Sequence, residues 1–204
     1  MSLWTKVRAA FAGTEERQPA GRARSGGGAS AGNQHRTGDP DVDLGTGLWR
    51  QHHDRLARAV DRFYETAVAV QKDADIAAGS TALEGDNSIA VARAAETLAR
   101  LTAVLGGEAG RVENLVADLH ARFPLAGQVV PAEVRSHVGD LPELLSRAAR
   151  TAAEAGQAAS MARVAIRTGT DPLGAARSAE TYAAKVGDLV EACTAELRGE
   201  GDRE

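Results

Sequence analysis

Apolar residues recur along most of this chain in alternating steps of three and four. The clearest run is Trp49, Leu56, Phe63, Val70 and Ala77, interleaved with His53, Val60, Ala67 and Ala74. Residues three and four apart share one face of an α-helix, and a heptad repeat held over several turns makes a seam along which helices pack. The pattern predicts a first helix over about 47–78, with Thr46 as its N-cap.

A second pair of rows follows: Val91, Leu98, Leu105, Val112 and Leu119 beside Ala94, Leu101, Glu108, Leu115 and Arg122. Their phase is unchanged across Leu105–Gly110, "LGGEAG", although each glycine in a helix interior costs about 1 kcal/mol against alanine. One helix over about 87–123 is therefore predicted, with Gly106–Gly110 as the place for a kink and Pro124 as its end. After Pro131 the row Val134, Val138, Leu141, Leu145, Ala148, Ala152, Ala155, Ala159, Ala162 and Ile166 predicts a third helix over 132–168. It should bend near 139–140, where Asp140 can cap a restart with Pro142 in the first turn and Glu143 at N3. Gly169 is its natural stop.

The fourth helix, 172–198, has the plainest start, with Asp171 as cap and Pro172 at N1. Its stripe is Ala175, Ala179, Tyr182, Val186, Leu189 and Cys193, broadened by Ala176, Ala183, Val190 and Leu197. Four long helices with short connections predict an all-α fold, an up-down antiparallel four-helix bundle with heptad seams over 46–198. Residues 199–204 read as a polar tail.

The start of the chain breaks the pattern. Residues 13–45 are rich in Gly, Ser, Pro and charge, and Val42 and Leu44 are their large aliphatics. Such a segment buries too little apolar surface to offset its ordering entropy, so it is expected to be a disordered linker. Ahead of it, Leu3, Trp4, Val7, Ala10 and Phe11 fall on one helical face, with Lys6 and Arg8 beside them. Residues 1–12 thus read as a short basic amphipathic helix, too short to be stable alone. Three surfaces compete for it: its own bundle or a sister subunit, an anionic membrane, and a groove on another protein.

Composition narrows the function. Apolar residues make up 43% of the chain but aromatics only 3%, so alanine, the best helix former, supplies most of the apolar surface. The net charge of −4 gives no reason to expect nucleic-acid binding. The chain has one cysteine, Cys193, in an apolar stripe, which predicts an inert thiol and excludes a disulfide framework or a Cys-rich metal site. No apolar run approaches the ~20 residues that span a bilayer, and Lys6 and Arg8 interrupt any signal-peptide core. Arg outnumbers Lys 21 to 3, the usage of a high-GC bacterial genome. The expected location is the cytoplasm, peripheral to the inner membrane face if residues 1–12 meet a membrane.

Candidate chemistry is sparse. A di-iron bundle needs Glu-x-x-His pairs, and none of His52, His53, His120 or His137 has a glutamate three positions earlier. No catalytic residue, cofactor or metal ligand is expected. His53 is placed on the seam with His52 facing outward, and Glu108 is expected to be solvated, to pair with an arginine, or to fix register. Arg147, Arg150, Arg163 and Arg167 lie outside the third helix's seam and form a candidate face for an acidic partner. The expected function is a non-enzymatic scaffold or adaptor that binds a protein or self-associates, localised by residues 1–12. The alternative is an enzymatic or small-molecule-binding bundle with a site between helices; a small-molecule ligand is not the primary expectation.

Overall fold

The computed structural model describes residues 39–79 and 86–199. The anchor expected at residues 1–12, the linker up to residue 38 and the tail after Gly199 lie outside the described residues. Every regular element among the described residues is helical: α1 (Pro40–Asp43), α2 (Leu48–Gly79), α3 (Asp86–Arg122), α4 (Ala132–Val138), α5 (Leu141–Thr168) and α6 (Leu173–Gly199).

The last residues assigned to the linker are structured, which corrects its expected end at residue 45. Asp39 accepts a hydrogen bond from the Asp41 amide (3.0 Å) and Pro40 sets the first turn of α1. That turn delivers Leu44 into the core. Helix α2 then starts at a tight crossing. The Gly47 carbonyl accepts from the Gln51 amide, while the Leu48 amide donates to the Gly127 carbonyl (3.0 Å). A Cβ on Gly47 would collide with the carbonyl oxygen of Leu125, so only glycine fits beside that loop. Trp49 is buried and its Nε1 donates to the Phe123 carbonyl (3.0 Å), which fastens the start of α2 to the end of α3.

Helix α3 runs unbroken through Gly106, Gly107 and Gly110. Its core face is Val91, Ala94, Leu98, Leu101, Leu105, Val112, Leu115 and Leu119, flanked by Ala95, Ala109 and Val116. Burial on both sides of the seam compensates for the loose helical propensity of the glycines. Between α4 and α5 the chain breaks at Gly139–Asp140. Asp140 occupies the N-cap position of α5 but its side chain makes no cap hydrogen bond; its carbonyl accepts from the Leu144 amide (2.9 Å). Gly169, at φ +71°, ends α5 in the left-handed region. The Gly169 and Thr170 amides donate to the carbonyls of Ile166 and Ala165. Asp171 Oδ1 accepts from the Leu173 amide (2.9 Å) and opens α6.

Helix α2 packs on α3 and α5, and α6 packs on the same two helices, leaving α3 and α5 on a diagonal. Consecutive helices run in opposite directions, but not all spatial neighbours do. His52 near the start of α2 meets Ser146 near the start of α5, and Asp73 meets Arg163 near their ends. Helices α2 and α5 are therefore parallel neighbours, as are α3 and α6, which are joined by Arg100 and Glu180 (2.6 Å). This differs from the fully antiparallel neighbours expected from short connections. The physical reason is residues 123–140, a connection long enough to carry the chain across one end. Leu125 and Val130 are buried in it and α4 adds Val138 to the core.

The core is uneven. Helices α2 and α3 contribute bulk: Trp49, Leu56, Phe63, Leu98, Leu105 and Leu119 are all fully buried. Helices α5 and α6 face each other largely through alanine, including Ala152, Ala155, Ala159, Ala179 and Ala183. Small side chains let backbones approach closely, so packing rather than side-chain volume closes that half. On α6 the buried line is Ala176, Ala179, Ala183, Val186, Val190, Cys193 and Leu197. Ala175, Tyr182 and Leu189 lie at its edge, only partly buried against the core.

A candidate partner-docking groove between α2 and α5

The arginines expected to form one face on the third helix divide once α5 is placed. Arg163 Nε donates to Asp73 Oδ2 on α2 (2.8 Å), with Asp73 only 17% exposed. Arg150 lies 13 residues nearer the start of α5, just under half the helix away, at the wall of an open groove against α2. Arg147 and Arg167 are exposed and do not line that groove. The four do not act as one surface.

The groove has a cavity volume of about 360 Å³ and is lined by Arg55, Arg58, Ala59, Arg62, Ser146, Ala149, Arg150 and Ala153. Its origin is local. Arg55, Arg58 and Arg62 fall at i, i+3 and i+7, so one face of α2 carries a row of guanidinium groups. Opposite, α5 offers Ser146, Ala149 and Ala153, whose small side chains leave the space open. No ion pair joins Arg55, Arg58, Arg62 or Arg150 to a described acidic residue, whereas Arg50, Arg100, Arg111 and Arg163 are all paired. Sequence reasoning placed the basic surface on the third helix and missed the α2 row. Its signal was present in "RLARAVDR", but the sequence did not show that α2 and α5 are neighbours.

The start of the groove is bounded by a buried histidine. His52 is 4% exposed, and its Nδ1 lies 3.4 Å from Ser146 Oγ. Burial lowers its pKa, the Arg55 charge lowers it further, and Glu143 opposes both. Its Nε2, and Nδ1 of His120, are buried with no hydrogen-bond partner among the described residues. The expected roles of the two adjacent histidines are thus reversed. Helix α2 packs on two neighbours, so its buried arc is wider than one seam and takes in His52 and Ala59 on the α5 side. His53 stays partly exposed and bonds Asp54 Oδ1 (3.0 Å). Partial burial pushes Asp54 up, but hydrogen bonds from His53 and Arg50 outweigh this and hold its carboxyl below the usual range. Arg50 also reaches Asp41 (3.2 Å), which ties α1 to α2.

The other residues with candidate chemistry have structural surroundings. Glu108 sits near Gly187 of α6 and accepts from Arg111 Nη1 through both carboxylate oxygens (3.2 and 3.1 Å). The Cys193 thiol is buried and pushed up to about 11 by desolvation. Among the described residues no group of three or more His, Cys, Asp or Glu side chains is placed to hold a metal ion. No described helix is long and apolar enough to cross a membrane. Leu3, Trp4, Lys6, Val7, Arg8 and Phe11 lie outside the described residues. The chain matches no protein-family model, no curated protein and no solved structure.

Proposed function

We propose that this chain is a non-enzymatic adaptor, a four-helix bundle with heptad seams that docks a protein partner while residues 1–12 hold it at a membrane surface or larger assembly. The observation that supports the reading is the arginine row of the α2–α5 groove, without an ion pair to any acidic residue among the described residues, in a chain of net charge −4. A protein with an excess of acidic residues has ample means to neutralise four arginines internally. Exposed positive charge concentrated in one groove favours encounter with an acidic surface.

The localising half of this reading is tested by comparing the full chain with a form lacking residues 1–12. Both are sedimented with phosphatidylglycerol vesicles, and oligomer mass is read by light scattering. The adaptor reading expects the truncated form to lose vesicle binding or to change its assembly mass, with helicity by circular dichroism unchanged in the bundle. If the two forms sediment equally and have the same mass per bundle, residues 1–12 do not localise the protein.

A further inference from the structure

We infer that the groove between α2 and α5 seats an acidic amphipathic helix of a partner protein, with carboxylates spaced to meet Arg55, Arg58, Arg62 and Arg150. The inference rests on the adaptor reading and names the chemistry of its partner. Arg55 and Arg62 are seven residues apart, so their row covers about 10 Å of helix axis. That is two turns of a facing helix, on which acidic residues at i, i+3 or i+4, and i+7 form a matching row. The guanidinium fork binds carboxylate through two parallel hydrogen bonds, and the row offers one fork per turn. Arg150 rises from the other wall. A seated helix is therefore gripped from both sides.

The floor fits the same occupant. Ala59, Ala149 and Ala153 present methyl groups between the two arginine walls. A helix whose small apolar residues lie between its carboxylates packs those residues on the alanine floor, in the helix-in-groove mode. A single small anion fits less well, because the row is spread along α2 rather than converging on one point. A long polyanion also fits less well. Beyond the groove it would run over a molecule whose net charge is −4.

The test uses the full chain and a fluorescein-labelled peptide helix of alanine and leucine with glutamates at i, i+4 and i+7. A scrambled peptide of the same composition serves as control. Anisotropy titration is expected to show saturable binding to the patterned peptide and weaker binding to the scrambled one. Binding should weaken as salt rises, because screening acts on exposed charges. The double variant Arg58→Glu/Arg62→Glu should lose at least about tenfold in affinity, the scale of truncating paired charges at an interface. Ala153→Trp, which fills the floor without changing charge, should lose affinity comparably, and circular dichroism checks that both variants stay folded. Deletion of residues 1–12 should leave peptide affinity unchanged.

Equal binding of the scrambled peptide, or undiminished binding by both groove variants, overturns the inference. So does tighter binding of a single-stranded oligonucleotide, or of phosphatidylglycerol vesicles to the form lacking residues 1–12, if the groove variants abolish it. Loss of vesicle binding on removing residues 1–12 is read separately, so the localising half of the adaptor reading stands or falls without the peptide result.

Discussion

Helices α2 and α5 run side by side from His52 and Ser146 to Asp73 and Arg163, yet the two halves of their contact are built differently. In the half toward their C-terminal ends, Asp73 meets Arg163 at 2.8 Å and the seam closes on itself. In the half toward their N-terminal ends, Arg55, Arg58, Arg62 and Arg150 line a floor of alanine with no carboxylate among the described lining residues. The helices, their direction and the type of cation are the same. What differs is whether α2 supplies an acid where α5 supplies an arginine. A helix pair can thus satisfy one stretch of its surface internally and leave another stretch open, by the choice of a few exposed side chains and without any change of fold.

The largest expected effect comes from adding bulk to each side of that divide. Ala159 is fully buried and Ala153 is exposed at the groove. Ala159→Leu overpacks a closed core and should cost about 1–3 kcal/mol in urea denaturation. Ala153→Leu should stay within about 0.5 kcal/mol of the parent. Equal costs would mean that the groove is as tightly packed as the core, and the comparison would fail.

A smaller effect is expected from Asp73→Asn, which makes the closed half resemble the open one. Arg163 keeps 39% of its side chain exposed, so the pair behaves as a partly solvated one. The loss should be at most about 1 kcal/mol and should shrink in high salt. A loss several times larger would show that Arg163 cannot stand without its acid, unlike the groove arginines.

The third effect is a slope rather than a level. Burial holds the His52 pKa below its ordinary value of 6.5, with Arg55 adding to the shift and Glu143 opposing it. Below that value the unfolded chain takes up a proton that folded His52 resists. Stability therefore falls as pH drops through 6.5 and stops falling once the lower folded-state value is passed. The thermal midpoint should decline less steeply on acidification in His52→Asn than in the parent. Parallel slopes would place the acid sensitivity elsewhere.

The all-helical character was legible from the spacing of Trp49, Leu56, Phe63 and Val70, because a sustained heptad leaves few other folds. Punctuation was legible too: Asp171 before Pro172, and Gly169 after Ile166, act through local hydrogen bonds that need no knowledge of the rest of the chain. What the sequence left open was long-range. Nothing local decides whether the connection 123–140 returns to the nearer helix or crosses to the diagonal one, so α2 and α5 could not be paired in advance. That single gap hid the groove. It also misplaced His52 and His53, because which flank of α2 is buried depends on where its second neighbour lies. The sequence pattern marks Arg150 as a candidate docking residue, but only the parallel placement of the two helices makes Arg55, Arg58 and Arg62 its companions.

The most direct test of the divided α2–α5 seam is the nitrogen–proton spectrum of the arginine Nε groups, recorded while the patterned acidic peptide is added. The signals of Arg55, Arg58, Arg62 and Arg150 should shift together and saturate together, while Arg163, already bonded to Asp73, does not move. Shifts spread evenly over Arg100, Arg111 and Arg163 as well, or none at the groove, would contradict the divided seam.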